Sequence, residues 1–453
     1  MKEHKRRLKQ MFGEKVLLDI PSRLCATYDA SRLKGDIPIG VIKPKETEDV
    51  IKLVKFCNKE RIALVARGGA SGMTGGAIPT KRSIVVDFAA MNRILQINSS
   101  NRSVTVQPGV LVSDIQREVA KYNLFYPPDP ASADFCTIGG NLAENAGGLR
   151  ALKYGVTRDY VLAATVVTGK GTLLRLGSLA HKSVTGYDVL RLLIGSEGTL
   201  ALFVEITLKL IPLPESSSTL IASFKNPTKA LTYSNELIRR GFLPRTLEFV
   251  DPTCLDAIVK NLGRRPRWLK KGASLLLIEF DGTVSEVRKN TRKCADFLSP
   301  FADKVLYGYS ATQQKNFWSL RRGMSTALFG ICADKVSEDV AVPLPALPQL
   351  YEKAVSIAKR FNLIPAIYGH CGDGNLHINF LLSRKGIPTD DAVKHLLQEA
   401  VSLGGTITGE HGIGLTKSKY LNLELNNDVI ALMKRLKKLF DPNGILNPTK
   451  ALP

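Results

Sequence analysis

Apolar residues in this chain come in short bursts separated by polar turns. IGVIK (from Ile39) predicts a strand, and TEDVIKLVKFCNKE, opened by Thr47 or Pro44, has the spacing of an amphipathic helix. RIALVA then predicts a buried strand, SIVVDF and SVTVQPG two more, and VSDIQREVAKYN a helix. The stretch 127–160 is rich in Gly, Pro and Asn and shows little periodicity, whereas VLAATVVTG and LALFVEITLKLIPL predict further strands. A Pro/Ser stretch, IPLPESSS, marks a boundary near 218. Beyond it TLIASF, a helix over 227–241 and RTLEFVD read β-α-β, and SLLLIEFDG, a helix over 284–298 and DKVLYGY repeat the order. Two such units predict a ferredoxin-like sheet with helices on one face. Helices fit 313–330, 345–361, 388–403 and 426–440, with a strand pair around 364–382.

Composition narrows the class. With 44% hydrophobic and 23% charged residues the chain is not a largely disordered one. No run approaches the ~20 uninterrupted apolar residues that a spanning helix needs. The N-terminus MKEHKRRLKQ is basic but no apolar core of a secretory signal follows, so a solvated, frayed arm is expected there. Seven cysteines at 25, 57, 136, 254, 294, 332 and 371 form no CxxC pair, which argues for a reducing compartment and no disulfide framework. The expected location is the cytoplasm, with peripheral contact at the inner face of a membrane as a variant. The net charge of +22 points to a polyanionic partner. KNLGRRPRWLKK (260–271), with six basic residues and one Trp, is the segment that would support a nucleic-acid reading, although a solvated loop is the expectation.

Three glycine-dense segments change the picture. RGGASGMTGG, from Arg67, places glycines at 68, 69, 72, 75 and 76 directly after a buried strand. Such a loop lets backbone approach a ligand closely and forms an anion nest suited to a pyrophosphate. No Lys–Ser/Thr pair closes it and a strand follows, which argues against both a triphosphatase loop and a Rossmann site. TIGGNLAENAGG from Thr137 and GSEGT at 195–199 are the others, and together they imply a large, extended ligand.

Of six histidines, three fall in two short C-terminal segments: YGHCGDGNLHINF, with His370, His377 and Asn379, and TGEHGIG, with Glu410 and His411. CGDGN between two apolar runs reverses the chain and can bring His370 to His377, while strand alternation puts His377 and Asn379 on one face. Glu410 would complete two imidazoles and a carboxylate with open positions, the pattern of a catalytic metal. Zn²⁺ suits that set, with Mn²⁺ or Fe²⁺ as rivals. FWSLR places Arg321 on a predicted helix with Ser325 one turn later on the same face.

The ordered series RGGASGMTGG, PPDP (127–130), TIGGNLAENAGGLRALKYG, RDYV, TGYDVLRLLIGSEGTL and VEITLKL resembles the PCMH-type FAD-binding domain of the vanillyl-alcohol-oxidase family, and within it the FAD-linked D-2-hydroxyacid dehydrogenases, which include D-lactate dehydrogenases and the glycolate oxidase flavin subunit. The resemblance runs from about residue 35 to the C-terminus and includes HxGDGNLH and GEHG. It implies an α+β fold: a PCMH-type domain of two α+β subdomains over 35–214, an inserted substrate cap with a ferredoxin-like antiparallel sheet over 215–410, a return segment over 411–453, and residues 1–34 as a basic arm. Arg67, Gly68, Gly69, Ala70, Ser71 and Gly72 would cradle the FAD pyrophosphate. Thr137, Gly139, Gly140, Asn141, Asn145 and Gly148 would line the flavin and ribityl chain, with Tyr154, Gly155 and Asp159 just beyond. Glu197 and Gly198 would lie near the adenine, and Asn447 near the flavin ring. Ala70 stands where some members carry a tethering His, so the FAD is expected to be non-covalent. Arg321 with Lys335 would bind the substrate carboxylate, assisted by Asn379. The chemistry implied is loss of the hydroxyl proton to His411 as general base and hydride transfer from C2 to flavin N5. D-lactate and glycolate are the leading substrates, with D-2-hydroxyglutarate as a further one. With no cysteine cluster for an iron–sulfur centre, the electrons need an external acceptor, an iron–sulfur or electron-transfer flavoprotein. The competing readings are an electron-transfer flavin subunit without its own turnover and a nucleic-acid-binding protein.

Overall fold

A computed structural model describes residues 2–452. The chain divides into two compact units: one runs up to Gly147 and adds Val156–Leu213 and the chain from Glu410 onward, the other comprises Gly148–Gly155 and Pro214–Gly409. These bounds differ by one residue from the expected cuts after 214 and 410. Residues 1–34 do not stand apart as an arm. Helix α1 (Lys2–Phe12) buries Leu8 and Phe12 in the core of the first unit. These two apolar positions, four apart, share one helix face and dock the basic peptide through it, and Arg7 Nη1 meets Glu60 Oε1 at 2.8 Å.

The first unit holds two larger sheets and a two-stranded one that pairs Leu124–Phe125 with Ile211–Pro212. Strands β1 (Val16–Leu17), β2 (Val41–Ile42), β3 (Ala63–Arg67) and β4 (Ser83–Asp87) order as β1-β2-β4-β3, with β4 parallel to both β2 and β3. The crossover from β2 to β3 is α2 (Thr47–Glu60), as predicted from its apolar spacing; it buries Val50, Leu53 and Val54. The second sheet, β5 (Ile94–Asn98), β6 (Ser103–Val106), β7 (Val161–Thr168), β8 (Leu173–Gly177) and β9 (Ala201–Lys209), is antiparallel in the order β5-β6-β9-β7-β8. The aperiodic 127–160 stretch contains a helix, α3 (Ile138–Glu144), capped by the Thr137 hydroxyl and ended by Asn145 at φ +52°. Its two glycines hide the apolar period. The chain's end returns to this unit, where Leu64 N–H donates to Ile445 O at 2.7 Å and Asn447 N–H to Leu64 O at 2.8 Å.

The second unit is built on one antiparallel sheet. Strands β10 (Ser216–Phe224), β11 (Thr246–Val250), β12 (Ser274–Gly282) and β13 (Lys304–Gly308), with α4 (Pro227–Arg239) and α6 (Val284–Leu298), give the spatial order β13-β10-β12-β11, the expected ferredoxin-like arrangement. Strands β15 (Ile364–His370), β16 (Asn375–Leu382) and β14 (Asp334–Ala341) extend it beyond β11 in that order. Strand β14 and helix α5 (Pro252–Leu262) were not expected from the sequence. The predicted 313–330 helix is two short ones, Ala311–Trp318 and Met324–Leu328, divided by a turn with Gly323 at φ +69°, so Arg321 and Ser325 do not share a helix. Trp268 and Leu269 of the basic segment pack into the apolar cluster around α5. All seven cysteines are free thiols, and among the described residues no helix is long and apolar enough to cross a membrane.

A buried acid at the start of α5 makes a pH prediction. Asp251 caps the helix through Cys254 N–H and also accepts from Ile367 N–H, both at 2.8 Å. Burial pushes its carboxyl up to about 7, against the lowering effect of those bonds. The folded state therefore holds a proton that the unfolded chain releases near its ordinary pKa, and the stability this provides is lost as pH rises toward 7. The stability of an Asp251→Asn variant relative to wild type should rise between pH 4 and pH 8, by on the order of 4 kcal/mol at most. Urea unfolding at several pH values checks this; a flat difference contradicts it.

Candidate active site

The first unit brings the glycine segments together. An added Cβ at Gly68 would fall on the Thr137 hydroxyl and one at Gly69 on the Phe135 carbonyl, so the loop after β3 lies directly on the strand of chain that enters α3. Its carbonyls anchor it: Ala30 N–H donates to Ala70 O, Leu415 N–H to Thr74 O at 2.7 Å, and Asn447 Nδ2 and Lys450 Nζ to Gly76 O at 3.1 and 2.8 Å. Held that way, the loop has its N–H groups to offer an anion. Gly72 and Gly140 border open space, where an added Cβ would meet nothing nearer than Glu144 Oε1 at 4.0 Å and Thr137 Oγ1 at 3.4 Å. Glu144 Oε2 is buried and takes no hydrogen bond among the described residues. A backbone cradle beside a carboxylate awaiting a partner fits a dinucleotide such as FAD. Gly69→Ala should therefore unseat the loop, lowering Tm by several degrees and abolishing retention of FAD on gel filtration; wild-type retention contradicts it.

Several residues expected at the cofactor hold the cradle in place. Arg67 donates Nη1 to Tyr28 O at 2.7 Å and fastens the first loop to the segment after α1. Asn447 spends its amide on Gly76 O and Glu197 O, at 3.1 and 2.7 Å. Glu197 accepts from Ile413 and Gly414 N–H at 2.8 and 2.7 Å and so grips the TGEHGIG segment. Asn145 Oδ1 accepts from Arg158 N–H and Asp159 Oδ2 from Val156 N–H, closing the turn after α3. Asn141 Nδ2 points to the Cys136 sulfur. Gly139 packs on Pro108, Gly198 faces Ala66, and Ser71 and Ala70 lie in the first loop, Ala70 at φ +51°. Gly148, Tyr154 and Gly155 belong to the second unit, where the Tyr154 hydroxyl donates to Asp281 at 2.8 Å.

His411 sits on the first glycine loop through its own backbone. Its carbonyl accepts from Thr74 Oγ1 at 3.2 Å, and Gly412, at φ +81°, passes so near the acidic pair that an added Cβ would be 2.5 Å from Glu144 Oε2 and 3.2 Å from Glu197 Oε1. Burial, then the charge of Glu197, pushes the Glu144 carboxyl well above its usual range. Burial likewise raises Glu197 and pulls the Lys450 ammonium down to about 7. His411 Nε2 lies 3.8 Å from Glu410 Oε1.

The second unit gathers the predicted substrate residues on one face of its sheet. The β14–β16 register pairs Ser337 with Asn379 and Asp339 with His377. Lys335 Nζ donates to Ser325 Oγ, Ser337 Oγ and Asn379 Oδ1 at 2.9, 2.9 and 3.0 Å. A polar strand thus turns its inward face to a cation, with three oxygens fixing the ammonium. Asn379 is oriented by donating Nδ2 to Ala366 O at 2.9 Å. The β15–β16 turn brings His370 and His377 together as expected, ring centroids 5.2 Å apart and nearly perpendicular.

Two carboxylates absent from the sequence reading complete this face. Glu248 on β11, fully buried, accepts from Arg321 Nε at 2.7 Å and lies 2.5 Å from His370 Nδ1. Burial would raise it, but the His370 and Arg321 charges win and hold it down at about 2. Asp339 lies 3.8 Å from His377 Nδ1 and accepts from Asn375 Nδ2, Thr408 Oγ1 and Gly409 N–H, at 2.6, 3.0 and 2.9 Å. Since Gly409 precedes Glu410 in the chain, the same carboxylate fixes the backbone next to the third expected ligand. A carboxylate bonded to the Nδ1 of His370 is the kind of support that a metal-binding imidazole uses. The signals that could have revealed them are a single Glu inside the apolar TLEFV and the Ser–Asp alternation in VSEDV.

Residues 213–451 match the family description "FAD linked oxidases, C-terminal domain" and residues 38–177 an "FAD binding domain". The chain is 38% identical to glycolate oxidase subunit GlcD of Bacillus subtilis over 99% of its own length and 96% of that protein's. It is 34% identical to a D-lactate dehydrogenase of Anaerostipes hadrus, covering 98% of this chain and 96% of the other. Among solved structures, p-cresol methylhydroxylase superposes with a TM-score of 0.79 at 14% identity, covering 99% of this chain and 96% of that one, which shows a shared PCMH-type fold. With a glycine cradle in one unit and an oxidase C-terminal domain over more than half of its length, this chain belongs to the FAD-linked oxidase family.

Proposed function

We propose that this oxidoreductase is an FAD- and divalent-metal-dependent dehydrogenase that converts a small D-2-hydroxy acid to the 2-oxo acid. D-lactate and glycolate come first and D-2-hydroxyglutarate next, as the relatives named for glycolate and D-lactate support. The observation that carries the reading is the sheet face on which the Lys335 ammonium, held by Ser325, Ser337 and Asn379, neighbours the paired imidazoles of His370 and His377.

Residues 68–72, 137–141 and Gly198 would hold FAD without a covalent bond, Ala70 offering no tether. FAD, when bound, supplies the two-electron acceptor for the hydride equivalent from C2. His370, His377 and Glu410 would hold a divalent metal, Zn²⁺ first and Mn²⁺ or Fe²⁺ next, which when bound supplies a Lewis acid for the substrate hydroxyl. Lys335 and the Nη pair of Arg321 bind the carboxylate and orient C2. His411 takes the hydroxyl proton at Nε2. Electrons leave to an external iron–sulfur or electron-transfer flavoprotein, and the charge of +22 suits an acidic docking face on it or an anionic membrane surface. The expected location is cytoplasmic.

A panel of D- and L-2-hydroxy acids with an artificial dye as acceptor tests the reading. Turnover of D-lactate or glycolate with exclusion of L-lactate is expected. Equal rates for both lactate enantiomers, or no turnover of any member by FAD-loaded protein, overturn it.

A further inference from the structure

We infer that Glu248 is a positioning residue that couples the carboxylate anchor to the metal-binding histidine, so that neither can be perturbed without the other. The inference rests on the proposed roles of Arg321 and His370. Geometry supplies the coupling. The β11–β15 register that sets Phe249 opposite Gly369 carries Glu248 to His370. Its two oxygens divide their work: Oε1 meets His370 Nδ1 and Oε2 meets Arg321 Nε. The carboxylate is wholly buried, so no water substitutes for either partner.

Each bond has a definite consequence. With Nδ1 committed to Glu248, His370 presents Nε2 to a metal in one ring orientation, and the adjoining negative charge makes that nitrogen a stronger donor. With Nε committed to Glu248, and its guanidinium carbon 4.6 Å from the Tyr368 ring centroid, Arg321 has its terminal nitrogens fixed for a carboxylate. Tyr368 in turn lies 5.2 Å from His377, so the stack beneath Arg321 leads to the second histidine. A glutamine in place of Glu248 has one acceptor oxygen for two donors, and its amide would face one of them.

Chelator competition for Zn²⁺ on the FAD-loaded protein, together with KM and kcat in the dye assay, tests this. Glu248→Gln should weaken Zn²⁺ binding about 10- to 100-fold and raise KM about tenfold, while the flavin spectrum stays at wild type. Should that variant not fold, Arg321→Lys serves: losing the Nε bond frees Glu248 from one side, and Zn²⁺ affinity should fall at least severalfold although the substituted residue is not a ligand. Zn²⁺ affinity within twofold of wild type in either variant overturns the coupling and leaves the assigned ligands standing. A wild-type protein that binds no divalent metal at all overturns both the coupling and the ligand assignment.

Discussion

Replacing His411 with Ala should lower kcat by about 10²- to 10⁴-fold, the range for loss of a general base, with FAD content and flavin spectrum unchanged. The two halves of this expectation come from different atoms of one residue. The backbone of His411 ties the segment to the glycine loop through Thr74, and Glu197 grips the following N–H groups of Ile413 and Gly414. None of those bonds involves the imidazole, so truncating it leaves the cradle intact. Dye-coupled turnover and absorbance of the same preparation provide the check. Wild-type turnover would remove His411 as the base, and loss of FAD would make its side chain part of the cradle. Glu197→Ala is the contrasting change: it strands the N–H groups of Ile413 and Gly414, the latter buried, and should release the segment and the flavin together.

Lys335→Met should raise KM about 10- to 100-fold and change kcat far less. Methionine keeps the length of the stem but removes the positive charge that Ser325, Ser337 and Asn379 hold in place for the carboxylate. A bond to a charged group contributes about 1.5–3 kcal/mol, and 1.4 kcal/mol is a factor of ten in affinity. The charge acts on the carboxylate in ground and transition states alike, so the loss falls on binding. Steady-state kinetics with D-lactate or glycolate would show it, and an unchanged KM would mean that the carboxylate binds elsewhere.

The glycine loops and the histidine turn were legible because their signals are local. Five glycines in nine residues after an apolar strand need a close backbone approach, and CGDGN between two apolar runs must reverse the chain. Individual roles inside the cradle were less legible. Arg67, Glu197 and Asn447 spend their polar atoms on backbone groups as far as 250 residues away, which no local pattern encodes. Strand β14 escaped notice because its inward face carries Lys335, Ser337 and Asp339, so the alternation that marks a strand ran polar on the side that is usually apolar. Glu248 was missed for a related reason, its partners lying 73 and 122 residues along the chain. The basic N-terminus showed the opposite error. Charge dominated its composition, while Leu8 and Phe12, enough to dock a helix, counted for little. Periodicity alone carried one helix through Arg321, whereas the first helix stops at Trp318 and Gly323 caps the start of the next.

The central claim is that a 2-hydroxy acid held on the Lys335 face reduces the flavin directly. Anaerobic addition of D-lactate, and separately glycolate, to the FAD- and metal-loaded protein should bleach the flavin absorbance in a single turnover, with one 2-oxo acid formed per FAD. A spectrum that stays oxidised with every 2-hydroxy acid, in protein that dithionite reduces fully, would contradict it.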